Sequence, residues 1–194
     1  MANKIVICYL RANSALLEDH FLNRLAQYFA PRAEHEDTQV PPVVHVELFF
    51  PGNNQNDTGL SAGIHYGGTT FLYPKTFSRK HWVFHSIPAT ARQVSLAKEF
   101  CRRQQGSSFN YRGFFAPSFL NISHATRLKG LESKRMPWYC SELATYALLH
   151  AGLIDDKEAI AAKVHPNAVY NVVQHCCNTF LDTARTITAK PLQL

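Results

Sequence analysis

Pro137-Trp138-Tyr139-Cys140-Ser141-Glu142-Leu143 sets a cysteine between a proline-led aromatic approach and the opening of a helix. Residues 140–150 are mostly good helix formers, Leu143, Ala147 and Leu148 share a face, and Gly152 stops the pattern. A cysteine at that position feels the positive end of the helix dipole and unpaired backbone N–H groups, both of which favour thiolate over thiol. The same N–H groups can stabilise an oxyanion once a thiolate attacks a carbonyl. A free cysteine at a helix start can equally be a small buried hydrophobe, so Cys140 alone does not decide between the two.

A partner stands upstream, in Val43-Val44-His45-Val46-Glu47-Leu48-Phe49-Phe50, whose β-branched and aromatic content predicts a strand. An imidazole inside so apolar a strand is costly to bury without a partner. Side chains alternate along a strand, so His45 and Glu47 project to the same face. A carboxylate there can orient the ring and stabilise its charged form, as the third member of a catalytic triad does. The competing reading is a half-exposed strand whose polar face carries His and Glu without catalytic purpose.

The elements around this pair read as follows. Lys4 to Arg11 predicts a buried strand, and Ser14 caps a helix with Leu17, Phe21, Leu25 and Tyr28 on one face, ended by Pro31. Residues 32–40 form a polar loop. A short strand is expected over Leu60 to Tyr66, with Gly67-Gly68 as a tight turn, and another over Trp82 to Ile87. Thr90 and Gln93 match a capping box, opening a helix with Val94, Ala97, Phe100 and Cys101 inward and Gly106 as C-cap. Short helices over 156–163 and 166–175 close the chain. Strands concentrate in the first half and helices at both ends, a mixed α+β order.

The motifs together resemble the circularly permuted NlpC/p60 superfamily of papain-like proteins, with its YiiX/YaeF-like bacterial, viral and phage members. The strand carrying His45 and Glu47, followed by Gly59-Leu60-Ser61 and Gly67-Gly68, resembles that group's histidine strand. Phe109-Asn110-Tyr111-Arg112-Gly113 is similar to its Tyr-x-x-Gly segment, and Trp138 to Leu143 with Ala151-Gly152-Leu153 to its cysteine helix. His165-Pro166-Asn167 resembles the turn that closes these domains. The matches keep the family's order from residue 43 to about 173, and permutation accounts for the histidine preceding the cysteine. The resemblance implies a papain-like α+β fold: a small antiparallel sheet packed against the cysteine helix. It implies that Cys140 attacks an acyl carbonyl, that His45 moves the proton, and that an acyl-thioester passes to water or another acceptor. Glu47 is expected as the third catalytic member; Ser61 or His65, further along, are the alternatives. Tyr111 and Ser61 are expected at the substrate and oxyanion side. The substrate is expected to be a peptide-like amide or a lipid-like acyl ester, the latter as in the lecithin:retinol acyltransferase branch. A catalytically silent binding or virion-associated protein that keeps the fold is the alternative from another class.

The remaining composition narrows these readings. The 194 residues, 46% hydrophobic and 18% charged, suit one domain spanning 1–194. The net charge is +6, from 20 Lys+Arg against 14 Asp+Glu. The basic loop containing Arg127, Lys129, Lys134 and Arg135 could touch an acidic membrane surface, but it lacks the interleaved aromatics of a nucleic-acid site, so no specific nucleic acid is expected. Five cysteines, an odd number without C-x-x-C spacing, suggest a reducing compartment. With an apolar run at Ile5–Leu10 too short for a signal peptide, and no stretch of about 18–20 apolar residues, the expectation is cytoplasmic or intraviral. The sequons at Asn56 and Asn121 are then chance matches. No cofactor or metal is expected: ten histidines show no metal-ligand spacing, and His81, His85, His124, His150 and His175 read as surface or structural.

Overall fold

The computed structural model describes residues 3–12, 43–52, 58–111, 136–155, 157 and 166–174. The fold is α+β, built on a five-stranded antiparallel sheet. Its strands are β1 (Lys4–Arg11), β2 (Val43–Pro51), β3 (Gly59–Ile64), β4 (Thr70–Lys75) and β5 (Trp82–Pro88), in the spatial order β4-β3-β2-β1-β5. Two helices, α1 (Ala91–Gln104) and α2 (Cys140–His150), pack on it, and residues 166–174 are also helical. Among the described residues no helix is long and apolar enough to cross a membrane.

The near-continuous apolar run of β1 follows from its place inside the sheet between two core clusters, because a strand covered on both faces cannot alternate apolar with polar. Ile5, Ile7 and Tyr9 join Val46, Leu48, Phe50, Ala62 and Ile64 in the main core beneath the helices. Val6, Cys8 and Leu10 point the other way, into a second cluster with Phe49 and Trp82, flanked by Val44, Phe77 and Phe84. Cys8 stands opposite Glu47 in the β1–β2 register and Leu10 opposite His45. The polar pair of β2 therefore rises from the second, aromatic face.

α1 begins with the expected capping box: the Thr90 hydroxyl accepts from the Gln93 N–H at 3.2 Å, and the Gln93 side chain accepts from the Thr90 N–H at 2.9 Å. Gln105 is its C-cap and Gly106, at φ 82°, follows in the left-handed region. Ala97, Phe100 and Cys101 are buried, as their spacing suggests, and so is Gln104. α2 departs from a one-sided pattern. Every residue from Cys140 to Leu148 is buried, including Ser141, Glu142 and Thr145, so this is a core helix rather than a surface one. Truncating Leu148, which is wholly buried, to Ala removes about 2–5 kcal/mol.

Two expectations need correction. The strand expected to reach Tyr66 ends at Ile64, where a turn closed by the Gly68 N–H on the His65 carbonyl at 3.0 Å takes over. A fifth strand, β4, follows this turn where none was expected. Its Pro74 lacks a ladder donor and is tolerated because β4 lies on the sheet edge. The helix expected from Ser14, the loop over 32–40 and the basic loop around Lys129 lie outside the described residues. So do both sequons, His124, His175, Cys176 and Cys177, and all but residue 157 of the helix expected over 156–163.

Candidate active site

Cys140 is the first residue of α2, with Tyr139 as an N-cap in extended conformation. Its approach is tied down by a hub in α1. The Gln104 side-chain oxygen accepts from the Trp138 indole at 3.0 Å and from the Met136 N–H at 3.3 Å. The Trp138 N–H bonds the Ser108 carbonyl at 3.0 Å, and the Trp138 carbonyl receives the Asn110 N–H at 2.8 Å. This short parallel bridge between 108–110 and 138 fixes the backbone two residues before the sulfur. The Asn110 amide also donates to Glu142 at 3.1 Å.

β2 brings His45 to the same place. The β2–β3 ladder runs from Pro51/Gly59 to Leu48/Ala62. Beyond it, the Val46 N–H is directed at the Cys140 sulfur, together with the Ser141 N–H and the His45 ring. The start of β2 is held by the Asn167 side chain, which accepts from the Val43 N–H at 2.9 Å. Asn167 thus ties the helical residues 166–174 to the start of the strand that carries His45.

His45 Nε2 lies 3.2 Å from Glu47 Oε1, which leaves Nδ1 for the thiol. Glu47 is 1% exposed and densely bonded. Ser61 Oγ donates to its Oε2 at 2.7 Å, and Lys75 Nζ donates to Oε1 and Oε2 at 2.7 and 2.8 Å. His65 Nε2 stands 3.6 Å from Oε1, an ion-pair distance longer than a hydrogen bond. Gly63 leaves the room this carboxylate needs: a Cβ there would lie 2.9 Å from the Phe71 ring and 3.0 Å from Glu47 Cγ.

The charges reinforce one another. Burial works against the Cys140 thiolate, but the His45 imidazolium and the N–H groups of Val46 and Ser141 outweigh it, and the thiol titrates below its ordinary value. Burial likewise disfavours the His45 cation, yet the Cys140 thiolate and then Glu47 push its pKa from 6.5 up to about 9. Glu47, despite burial, is held well below the usual carboxylate range by His45, His65 and Lys75. The other described cysteines move the opposite way: burial raises Cys101 to about 12, and burial with the Glu47 charge raises Cys8 strongly. Selective thiolate stabilisation at Cys140 is what a nucleophile requires.

The five residues expected at the site divide into three groups. Cys140, His45 and Glu47 form one hydrogen-bonded line. Ser61 is fully buried behind Glu47, with its hydroxyl on that carboxylate and on the Leu48 carbonyl at 3.3 Å. Its hydroxyl is thus engaged with the carboxylate that meets His45. Tyr111, 49% exposed, packs on Tyr66 and Phe109 with ring centroids at 5.8 and 5.1 Å. Its hydroxyl borders Gly67, whose φ of 72° favours glycine and where a Cβ would come within 3.1 Å of that hydroxyl. Sequence reasoning missed Lys75, whose strand was itself not foreseen. It also gave no sign that His45 Nε2, Glu47 Oε1 and His65 Nε2 would converge within 4.8 Å, a spacing that could hold a divalent cation. The Lys75 ammonium already sits on Oε1, so a cation there would compete with it. Of the remaining histidines, His85 packs edge-on against Tyr9 and Tyr170 and is lowered by burial, and His150 lies against Phe100.

Comparison with family models, with curated proteins and with solved structures returns no match for this chain.

Proposed function

We propose that this chain is a cysteine-dependent hydrolase or acyltransferase with a papain-like, circularly permuted fold of the NlpC/p60 type, acting on an amide or ester. The observation that carries the reading is the line from the Cys140 sulfur through the His45 ring to Glu47, with the sulfur at the start of α2. The motif order described above supports the fold-family part.

In the proposed cycle, the Cys140 thiolate attacks the acyl carbonyl while His45 holds the thiol proton. The new C–S bond pushes the carbonyl electrons onto oxygen, where N–H groups at the α2 terminus can receive the charge. Collapse expels the amine or alcohol, which takes the proton from His45, leaving an acyl-thioester. Neutral His45 then removes a proton from water or another acceptor, which attacks the thioester and releases Cys140. Glu47 keeps the imidazole oriented throughout and stabilises its charged form.

The test is to trap the thioester. Wild-type protein incubated with peptide p-nitrophenyl esters and with short-chain phospholipids should gain one acyl mass on Cys140, removable by neutral hydroxylamine and absent in Cys140→Ala. The donor that loads Cys140 identifies the substrate class. No adduct from any donor, with intact Cys140, favours the catalytically silent binding protein.

A further inference from the structure

The Lys75 ammonium is unusual in its setting. It lies 2.7 and 2.8 Å from the two oxygens of a carboxylate that is 1% exposed. Its stem crosses an aromatic slot, with Nζ 4.8 Å from the Phe77 ring centroid, 5.0 Å from Trp82 and 5.9 Å from Phe71. Such a slot favours a cation and limits its rotation. Only one oxygen of Glu47 meets His45, so a carboxylate held on both oxygens by Lys75 and on Oε2 by Ser61 has one orientation left for the imidazole.

We propose that Lys75 is a positioning residue of the Cys140–His45 pair, acting through Glu47 to keep the carboxylate ionised and aimed and to set the pH window in which thiolate and imidazolium coexist. The inference rests on the thiol chemistry proposed above. The groups facing the Lys75–Glu47 pair come from several elements: Cys8 from β1, His45 from β2, Ser61 from β3 with His65 just beyond it, Tyr73 from β4, and Cys140 from α2 through His45. β5 turns the uncharged Trp82 toward it. Removing the Lys75 charge leaves the Glu47 carboxylate without its counter-ion beside His45, which makes the His45 proton and, through it, the Cys140 proton harder to remove, so the direction of the effect is determined.

The experiment follows Cys140 alkylation by iodoacetamide against pH in wild type, Lys75→Met and Lys75→Arg, with His45 titrated in parallel by imidazole 15N NMR. Lys75→Met keeps the apolar stem in its slot and removes the charge. Both limbs of its profile, and the His45 titration, should move up by about one pH unit. In Lys75→Arg, which keeps the charge, they should stay within a few tenths of wild type. In a Glu47→Gln background, Lys75→Met should move the limbs much less, because the route runs through the carboxylate. Limbs unmoved in Lys75→Met, or moved equally with and without Glu47, would overturn the proposal, since a merely structural lysine lowers rates without shifting a titration. If Lys75→Met does not fold, Lys75→Gln carries the same prediction. An inert Cys140 in wild type contradicts the nucleophile reading itself, while the NMR titration still decides whether Lys75 controls His45.

Discussion

Replacing Glu47 by Gln keeps the shape of the side chain and exchanges its charge for a forced choice. Lys75 Nζ now touches both carboxylate oxygens, at 2.7 and 2.8 Å, and Ser61 donates to one of them. An amide offers one oxygen where three donors, Lys75, Ser61 and His45, bond the carboxylate. With that oxygen turned toward Lys75 and Ser61, the amide NH2 faces His45 Nε2. Nε2 must then accept, so the single proton of neutral His45 sits on Nδ1, against the thiol, and His45 cannot take the thiol proton. Loss of the carboxylate also withdraws part of the support that holds His45 at about 9; a drop of about one to two units follows from removing one close opposite charge. Together these should lower the Cys140 alkylation rate at pH 6.5 by about tenfold to a hundredfold. Stability should fall by about 2–3 kcal/mol, since the half-buried ammonium keeps only neutral acceptors. The assay is the alkylation rate by intact mass, with the His45 tautomer read from imidazole 15N shifts and stability from urea melts. A Glu47→Gln variant with wild-type reactivity and its His45 proton still on Nε2 would refute the tautomer reasoning.

Other outcomes follow from the same contacts. The Glu47 pKa is depressed below its ordinary 4.5, so its contribution to stability is present above that pH and lost as pH falls below it. Urea midpoints should therefore decline more steeply below about pH 4.5 in wild type than in Glu47→Gln. Gln104→Leu should cost about 2 kcal/mol by stranding the Trp138 indole and the Met136 N–H, and it should slow Cys140 alkylation because the approach to α2 loosens; thermal melts with the alkylation assay check both. Gly63→Ala should press on Glu47 Cγ and the Phe71 ring, lowering Cys140 reactivity more than its melting temperature suggests.

The sequence revealed the site's chemistry more completely than its surroundings. Alternation along β2 was enough to put His45 and Glu47 on one face, and the helix pattern after Tyr139 was enough to put Cys140 at an N-terminus. Thr90 and Gln93 announced α1 because a capping box is local. What was not legible depends on pairing between distant residues. Lys75 meets Glu47 because β4 pairs with β3 and β3 with β2, and an edge strand containing Pro74 gives a poor strand signal. The turn of β5 to the far side of β1, which brings Trp82 over Lys75, is a tertiary choice that no local pattern encodes. Ser61 was found by motif, but its bond to Glu47 was not legible, since the face a serine on β3 presents is open until the register of Phe49 against Ser61 is known. The burial of Ser141, Glu142 and Thr145 was equally hidden, because α2 is covered on sides that an amphipathic reading leaves to solvent.

The most direct test of an activated Cys140–His45 pair is the pH dependence of Cys140 alkylation, followed by peptide mapping, in wild type and His45→Ala. Cys140 should react well below pH 7, ahead of Cys8 and Cys101, and His45→Ala should move its reactivity up toward the ordinary thiol range near 8.5. A Cys140 that titrates as an ordinary thiol in wild type, unchanged by the loss of His45, would contradict the activated pair.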